Sequence, residues 1–191
     1  MTEALRQAVE AAASRPDVTA VVGRMYADIQ AAIDARRPVC TASGRCCKFE
    51  VYGHRLYVST LELAAFVAGL GTPTTSLPLP VLGEREQDAR SLPTWDGTGC
   101  PFQVDGLCSV HPIRPFGCRM YFCDSTSTQW QNEAYERFHT TLKRLHDELA
   151  VPYFYVEWRA ALAALGLLPV VGEARQVAQG LPVLTTEPGR R

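Results

Sequence analysis

The sequence predicts a mainly α-helical chain with one small β-hairpin, an α+β single domain whose terminal helices flank a loop-built cysteine site. Three observations carry this reading. Apolar residues recur at helical spacing near both ends of the chain. A capping box opens a further helix in the middle. All seven cysteines fall between residues 40 and 123, among glycines and prolines.

Residues 3–14 and 18–35 read as the first two helices. In the second, Val18, Val22, Met25, Ile29 and Ile33 repeat at three- and four-residue steps and make one apolar stripe, with Asp17 expected as N-cap. Cys40 to Cys47 is a polar loop turning at Gly44. Phe49-Glu-Val-Tyr52 and His54-Arg-Leu-Tyr-Val58 are rich in aromatic and β-branched residues about Gly53, which predicts the hairpin there. Ser59-Thr60-Leu61-Glu62 is the capping box, and its helix runs to about Leu70. Residues 71–99 hold four prolines and four glycines with little periodicity, so a long surface loop is expected. Residues 100–123 form a second Pro/Gly-punctuated loop. Trp130, Ala134, Phe138, Leu142, Leu145 and Leu149 then mark a long helix from about Ser127 to Leu149. A last helix is expected over Tyr153–Leu165, and the tail from 180 onward reads as loose. Segments 1–37, 38–124 and 125–170 are thus N-terminal helices, cysteine region and C-terminal helices of one domain, followed by the tail 171–191.

Composition excludes several classes of function. With 191 residues, 47% hydrophobic and 20% charged, the chain can bury a core without disulfides or metal. A metal site would therefore need its own explanation. A net charge of −1 with scattered basic residues predicts no nucleic-acid partner. The N-terminal stretch lacks a signal-peptide core, and the apolar run 160–171 is broken by Gly166 and Pro169 and is too short to span a bilayer. The expectation is a cytoplasmic protein with no membrane partner. In a reducing compartment thiols stay unpaired, and an odd count forbids a complete disulfide framework.

Clustering of the cysteines points to ligation, because free cysteines acting as small core hydrophobes would be spread along the chain. The candidate metal ligands are Cys40, Cys46, Cys47, Cys100, Cys108, Cys118 and Cys123. Thiolate sites select zinc, copper(I) or iron–sulfur clusters over hard cations. Glycines beside the cysteines free the backbone to converge, and prolines at 101, 112 and 115 stiffen it. Four thiolates around zinc or a cluster core leave negative charge, which Arg45, Lys48, Arg114 and Arg119 could offset; Arg114 and Arg119 are the expected supporting residues around the ligands. Structural zinc favours paired knuckles of two-residue spacing. Here the gaps are five, none, seven, nine and four residues, and only Cys108 and His111 form a two-spaced pair. Irregular spacing and the Cys100-Pro101 step suit an iron–sulfur cluster better, with zinc as the alternative.

Other candidates have blander readings. His139 and His146 share one face of the long helix and are expected to be solvated or capping; His54 has no ligand-spaced partner. Tyr153, Phe154, Tyr155 and Trp158 read as core or cluster-shielding aromatics. Cys108 with His111 could mimic a nucleophile and base, but the two are confined within one turn and other thiols surround them.

Cys40, Gly44, Cys46 and Cys47, followed by Cys100, Pro101, Cys108, Arg114, Pro115, Cys118, Arg119 and Cys123, resemble the signature of the YkgJ-type cysteine-cluster family of zinc- or iron-chelating proteins. The resemblance covers residues 38–124 and departs at Ser43, where the family pattern has a cysteine. It implies an iron–sulfur or zinc site and no particular reaction. Similar domains are associated with a flagellin lysine methylase, but no glycine-rich S-adenosylmethionine motif follows a strand here. The expected role is redox, electron transfer or support of a protein redox partner or client enzyme, not catalysis by this chain alone. The alternative is a zinc-stapled interaction module. Because Ser43 removes the near partner of Cys40, Cys118 and Cys123 are expected to matter most and Cys40 least.

Overall fold

The structure, a computed structural model, describes residues 2–71 and 95–168. Most of the expected long loop and the whole expected tail lie outside the described residues.

Helix α1 (Thr2–Ala13) buries Leu5, Val9 and Ala12, and α2 (Pro16–Arg36) buries Val18, Val22, Met25 and Ile29. The α2 stripe follows the spacing read from the sequence, with Ile33 half-buried at its end. Asp17 is not the N-cap, however. Arg15 holds that position in extended backbone, Pro16 opens the helix with its φ already set, and Asp17 pairs with Arg15 at 2.7 Å in the first turn. Helix α2 ends at Arg37, whose left-handed backbone (φ 54) returns its N–H to the Ile33 carbonyl and aims the chain at the cysteine loop.

The short helix α3 (Phe49–Tyr52) stands where the first strand of a hairpin was expected. Its reason is tertiary. Phe49 is buried, while Val51 and Tyr52 are exposed, and the turn carries Glu50 to the Gly99 N–H at 2.7 Å and to Arg159 at 2.6 Å. The strand β1 (Tyr57–Ser59) therefore finds another partner. It pairs antiparallel with β4 (Tyr155–Glu157), in the register Tyr57↔Glu157, Val58↔Val156 and Ser59↔Tyr155. This costs the last helix its first turn: α7 is Trp158–Ala164, capped by the Glu157 carboxylate, which accepts the Ala160 N–H at 2.9 Å. A true hairpin does form, elsewhere: β2 (Gln103–Val104) and β3 (Leu107–Cys108) join through Asp105 and Gly106, both at positive φ.

Helix α4 (Thr60–Leu70) is the central element. Apolar all round, it divides its side chains between two cores. Leu61 and Ala64 pack with α2, with Phe116 and Met120 of the short helix α5 (Phe116–Arg119) and its end, and with α6 (Thr128–Glu148). Leu63 and Phe66 pack with Leu5, Val9, Phe49, Phe102 and Trp158. Burying each such large side chain contributes roughly 1.5–3 kcal/mol. The second core includes Cys47 and Cys100, so the cysteine loops rest on it.

The capping box of α4 is formed, with Ser59 N–H donating to Glu62 Oε2 at 2.7 Å and Glu62 N–H donating to Ser59 Oγ at 3.4 Å. His146, expected to be solvated or capping, is buried at the end of α6, where its Nδ1 donates to the Val151 carbonyl at 3.0 Å. Burial lowers its proton affinity and keeps the ring neutral. Among the described residues no helix is long and apolar enough to cross a membrane.

Candidate metal centre

Two chain segments meet to make the site. The first runs from Arg37 to Lys48 and ends in a 3-10 turn, Arg45–Cys47, led by Gly44 at φ 68. The second runs from Gly99 through the β2–β3 hairpin and α5 to Cys123. Backbone bonds join them: Cys100 N–H donates to the Cys47 carbonyl at 2.7 Å, and the Gln103 amide nitrogen donates to the carbonyls of Gly44 and Gly106, each at 3.1 Å. The approach is so close that only glycine fits twice. A Cβ on Gly99 (φ +61) would lie 2.6 Å from the Cys47 carbonyl oxygen, and one on Gly44 would lie 2.2 Å from that of Gly106. On the far side, the Asp124 carboxylate accepts the Val39 N–H at 3.2 Å and closes the loop mouth.

All seven cysteines border one cavity of about 130 Å³ between these segments. They differ in depth. Cys47 and Cys100 are buried, Cys46, Cys108 and Cys118 are half-buried, and Cys40 and Cys123 are exposed at the mouth. Cys123 thus stands with Cys40, not with the inner thiols. Ser43 is beside it, with Oγ 3.6 Å from the Cys123 sulfur.

The inner thiols are electrostatically linked. Cys47 sits amid Cys100, Cys108 and Cys46, and these sulfur contacts, with burial, push its thiol far above the usual range. Its S–H in turn lowers Cys46 to about 6, helped by Arg114, and lowers Cys108 to about 7. The same contact lowers Cys100. Burial and the neighbouring sulfurs raise Cys118. Cys47 therefore keeps the shared proton while Cys46 and Cys108 ionise near neutrality. His111 borders the cavity as well, and burial, followed by the charges of Arg114 and Arg119, lowers its proton affinity and leaves a neutral imidazole.

Among the described residues no three Cys, His, Asp or Glu side chains already surround one point as ligands of a single ion. The sulfurs pack around Cys47 instead. The sulfur donor set nonetheless fits a soft cationic centre whose thiolate complex is anionic, and a second feature speaks for one. Among the described residues, Arg45 Nε and Arg114 Nε are buried without a hydrogen-bond partner, and both residues border the thiol cavity. A buried N–H left without an acceptor costs about 1–3 kcal/mol, which an acceptor atom in the cavity would recover. The Trp158 side chain hydrogen-bonds the Cys100 thiol.

Arg114 and Arg119 were expected to act alike, and they do not. Arg114 is on the cavity wall. Arg119 donates from Nε to the Arg114 carbonyl at 2.9 Å and from Nη2 to that of Pro112 at 2.6 Å, and its guanidinium lies 4.1 Å from the Tyr26 ring centre. It braces the loop that carries Arg114. Trp158 is a core residue that also borders the cavity, whereas Tyr153 and Tyr155 are exposed and not core. Sequence reading passed over Gln103, and it took Glu62 only as the N3 residue of the capping box. Glu62 is the least predictable: beyond its capping bond it accepts the Phe116 N–H at 3.0 Å and so fixes the start of the helix bearing Cys118.

Comparisons with family models, with curated proteins and with solved structures found no match to this chain.

Proposed function

We propose that this chain holds an iron–sulfur cluster on its inner thiolates and serves as a redox or accessory protein for a partner enzyme in a reducing, cytosolic setting. The observation that carries the reading is the convergence of seven cysteines and two arginines with unpartnered Nε groups on a single cavity. Its volume, about 130 Å³, is roughly ten times the smallest that admits one water, which suits a multi-atom group better than a lone ion. The ligands would come from Cys46, Cys47, Cys100, Cys108 and Cys118, with the sulfurs spreading from Cys47 into the cavity. When bound, such a cluster supplies one-electron chemistry.

The chain's own residues do the rest. Arg114 and Arg45 would donate N–H···S bonds and offset the negative charge. Trp158 and Cys100, both buried in the second core, would keep water from the inner face. The motif from Cys40 to Cys123, with its likeness to the YkgJ-type pattern, supports the same reading from the sequence.

A zinc site is the second reading, favoured by one observation: the neutral His111 stands three residues from Cys108 on the same wall. Metal and sulfide analysis of protein purified without oxygen separates the two. Brown protein with iron and acid-labile sulfide is expected. Colourless protein with stoichiometric zinc and no sulfide would replace the cluster by the zinc module.

A further inference from the structure

A second cavity, of about 320 Å³, adjoins the thiol cavity and shares Cys46, Cys118 and Tyr121 with it. Its size is at the lower end of small-molecule sites, about 300–1,000 Å³. Its floor is apolar, formed by Leu56, Gly117 and Met120. Its rim is aromatic: Tyr57 and Tyr155 stack at 5.5 Å between ring centres and are 42% and 40% exposed. Large aromatic faces left in water at the edge of an apolar hollow are the usual furniture of a recognition site.

Of Asp, Glu, Lys and Arg among the described residues, only Arg55 borders this cavity, while the Cys46 and Cys118 thiols close it on the side of the thiol cavity. Among the described residues no carboxylate lies within ion-pair distance of Arg55, although Arg6, Arg15, Arg144 and Arg159 all have such partners. The Tyr135 and Tyr155 hydroxyls meet at 3.1 Å on the same wall, and burial holds both phenols protonated. One proton of that pair satisfies the other oxygen, and the second is free to donate outward. Arg55 and the tyrosine pair therefore supply donors to an aromatic-walled, apolar-floored hollow.

We infer that this cavity binds a small planar aromatic acid, its ring against Tyr57 and Tyr155 and its carboxylate on Arg55 and the tyrosine hydroxyl pair. The ligand would lie across the Cys46–Cys118 wall from the thiol cavity. The inference rests on this cavity alone and holds whatever metal the thiols carry.

Titration calorimetry on the full chain, purified without oxygen, tests it with 4-hydroxybenzoate as the probe. Controls are 4-hydroxybenzyl alcohol, which keeps the phenol without the charge, and benzamidine, which carries a positive charge. One saturable site with a Kd of ~1 mM or tighter is expected, at least about tenfold tighter than either control. Arg55→Ala should bring the acid down to the level of the alcohol, and Tyr155→Leu should weaken both phenols. Lack of saturation up to ~10 mM, equal binding of acid and benzamidine, or an Arg55→Ala protein that still prefers the acid overturns the inference. Metal and sulfide are measured on the same samples. Failure to bind in iron-loaded protein counts against the cavity alone, and binding by iron-free, zinc-loaded protein counts against the cluster alone.

Discussion

The Cys100 N–H donates to the Cys47 carbonyl at 2.7 Å, tying together two cysteines that are 53 positions apart in sequence. Both residues are buried in the core built on α4 and Trp158, so the bond anchors the two halves of the thiol cavity to that core. Gly99 makes the approach possible, since any side chain there would meet the Cys47 carbonyl. Gly99→Ala combines that collision with a strained positive φ. It is expected to destabilise the fold by about 1–3 kcal/mol and to lower metal retention, while Gly53→Ala, with open space around its Cβ, affects retention little. Thermal melts and metal content of the two variants check this. Equal retention in both would mean that the close approach does not shape the site.

The two arginines give a separable pair of outcomes. Arg114→Ala removes a cavity-wall donor and should weaken metal retention about 10–100-fold in competition with a chelator. Arg119→Ala removes two backbone bonds and the contact with Tyr26, so it should lower the melting temperature first. If Arg119→Ala empties the site at unchanged stability, the division of labour drawn from the structure is wrong.

Depth in the cavity ranks the thiols. Ser substitution at Cys47, Cys100 or Cys108 is expected to abolish metal binding, whereas Cys40→Ser and Cys123→Ser, at the exposed mouth, should leave most of it. Metal analysis of the five variants decides. The informative surprise would be Cys123→Ser, which the motif spacing makes indispensable and the geometry does not.

Glu62 predicts a pH dependence. Burial raises its carboxyl from 4.5 to about 7, despite the Ser59 and Phe116 N–H bonds that favour the charged form. A group that holds its proton more tightly when folded stabilises fully below its unfolded value and loses that contribution as pH rises through the folded one. Stability should therefore fall between pH 4.5 and about 7, by up to about 3 kcal/mol from this group. Glu62→Gln should flatten that slope in denaturant melts across the range. Because the thiols are common to both proteins, parallel slopes would exonerate Glu62.

Elements with a local signature were legible in the sequence. The stripe of α2, the capping box of α4 and the stripe of α6 each follow from spacing within the element itself. What was not legible depends on distant partners. Tyr57–Ser59 pairs with a strand nearly a hundred residues away, so nothing beside it announces that partner, and the aromatic run at Phe49 folds as helix because Glu50 is needed at Gly99 and Arg159. The β2–β3 hairpin could have been found, since Asp105-Gly106 is a strong turn signal between two short runs. At the site, clustering identified all seven cysteines that border the cavity. Depth was beyond the sequence: nothing in the spacing separates Cys123 at the mouth from Cys108 on the inner wall.

X-ray absorption at the metal edge of protein purified without oxygen tests the central claim most directly. The account predicts iron with a sulfur-only shell and a metal–metal vector, as several iron atoms bridged by sulfide require. A zinc edge with sulfurs at about 2.3 Å, one imidazole nitrogen and no metal–metal vector would contradict it and place His111 among the ligands.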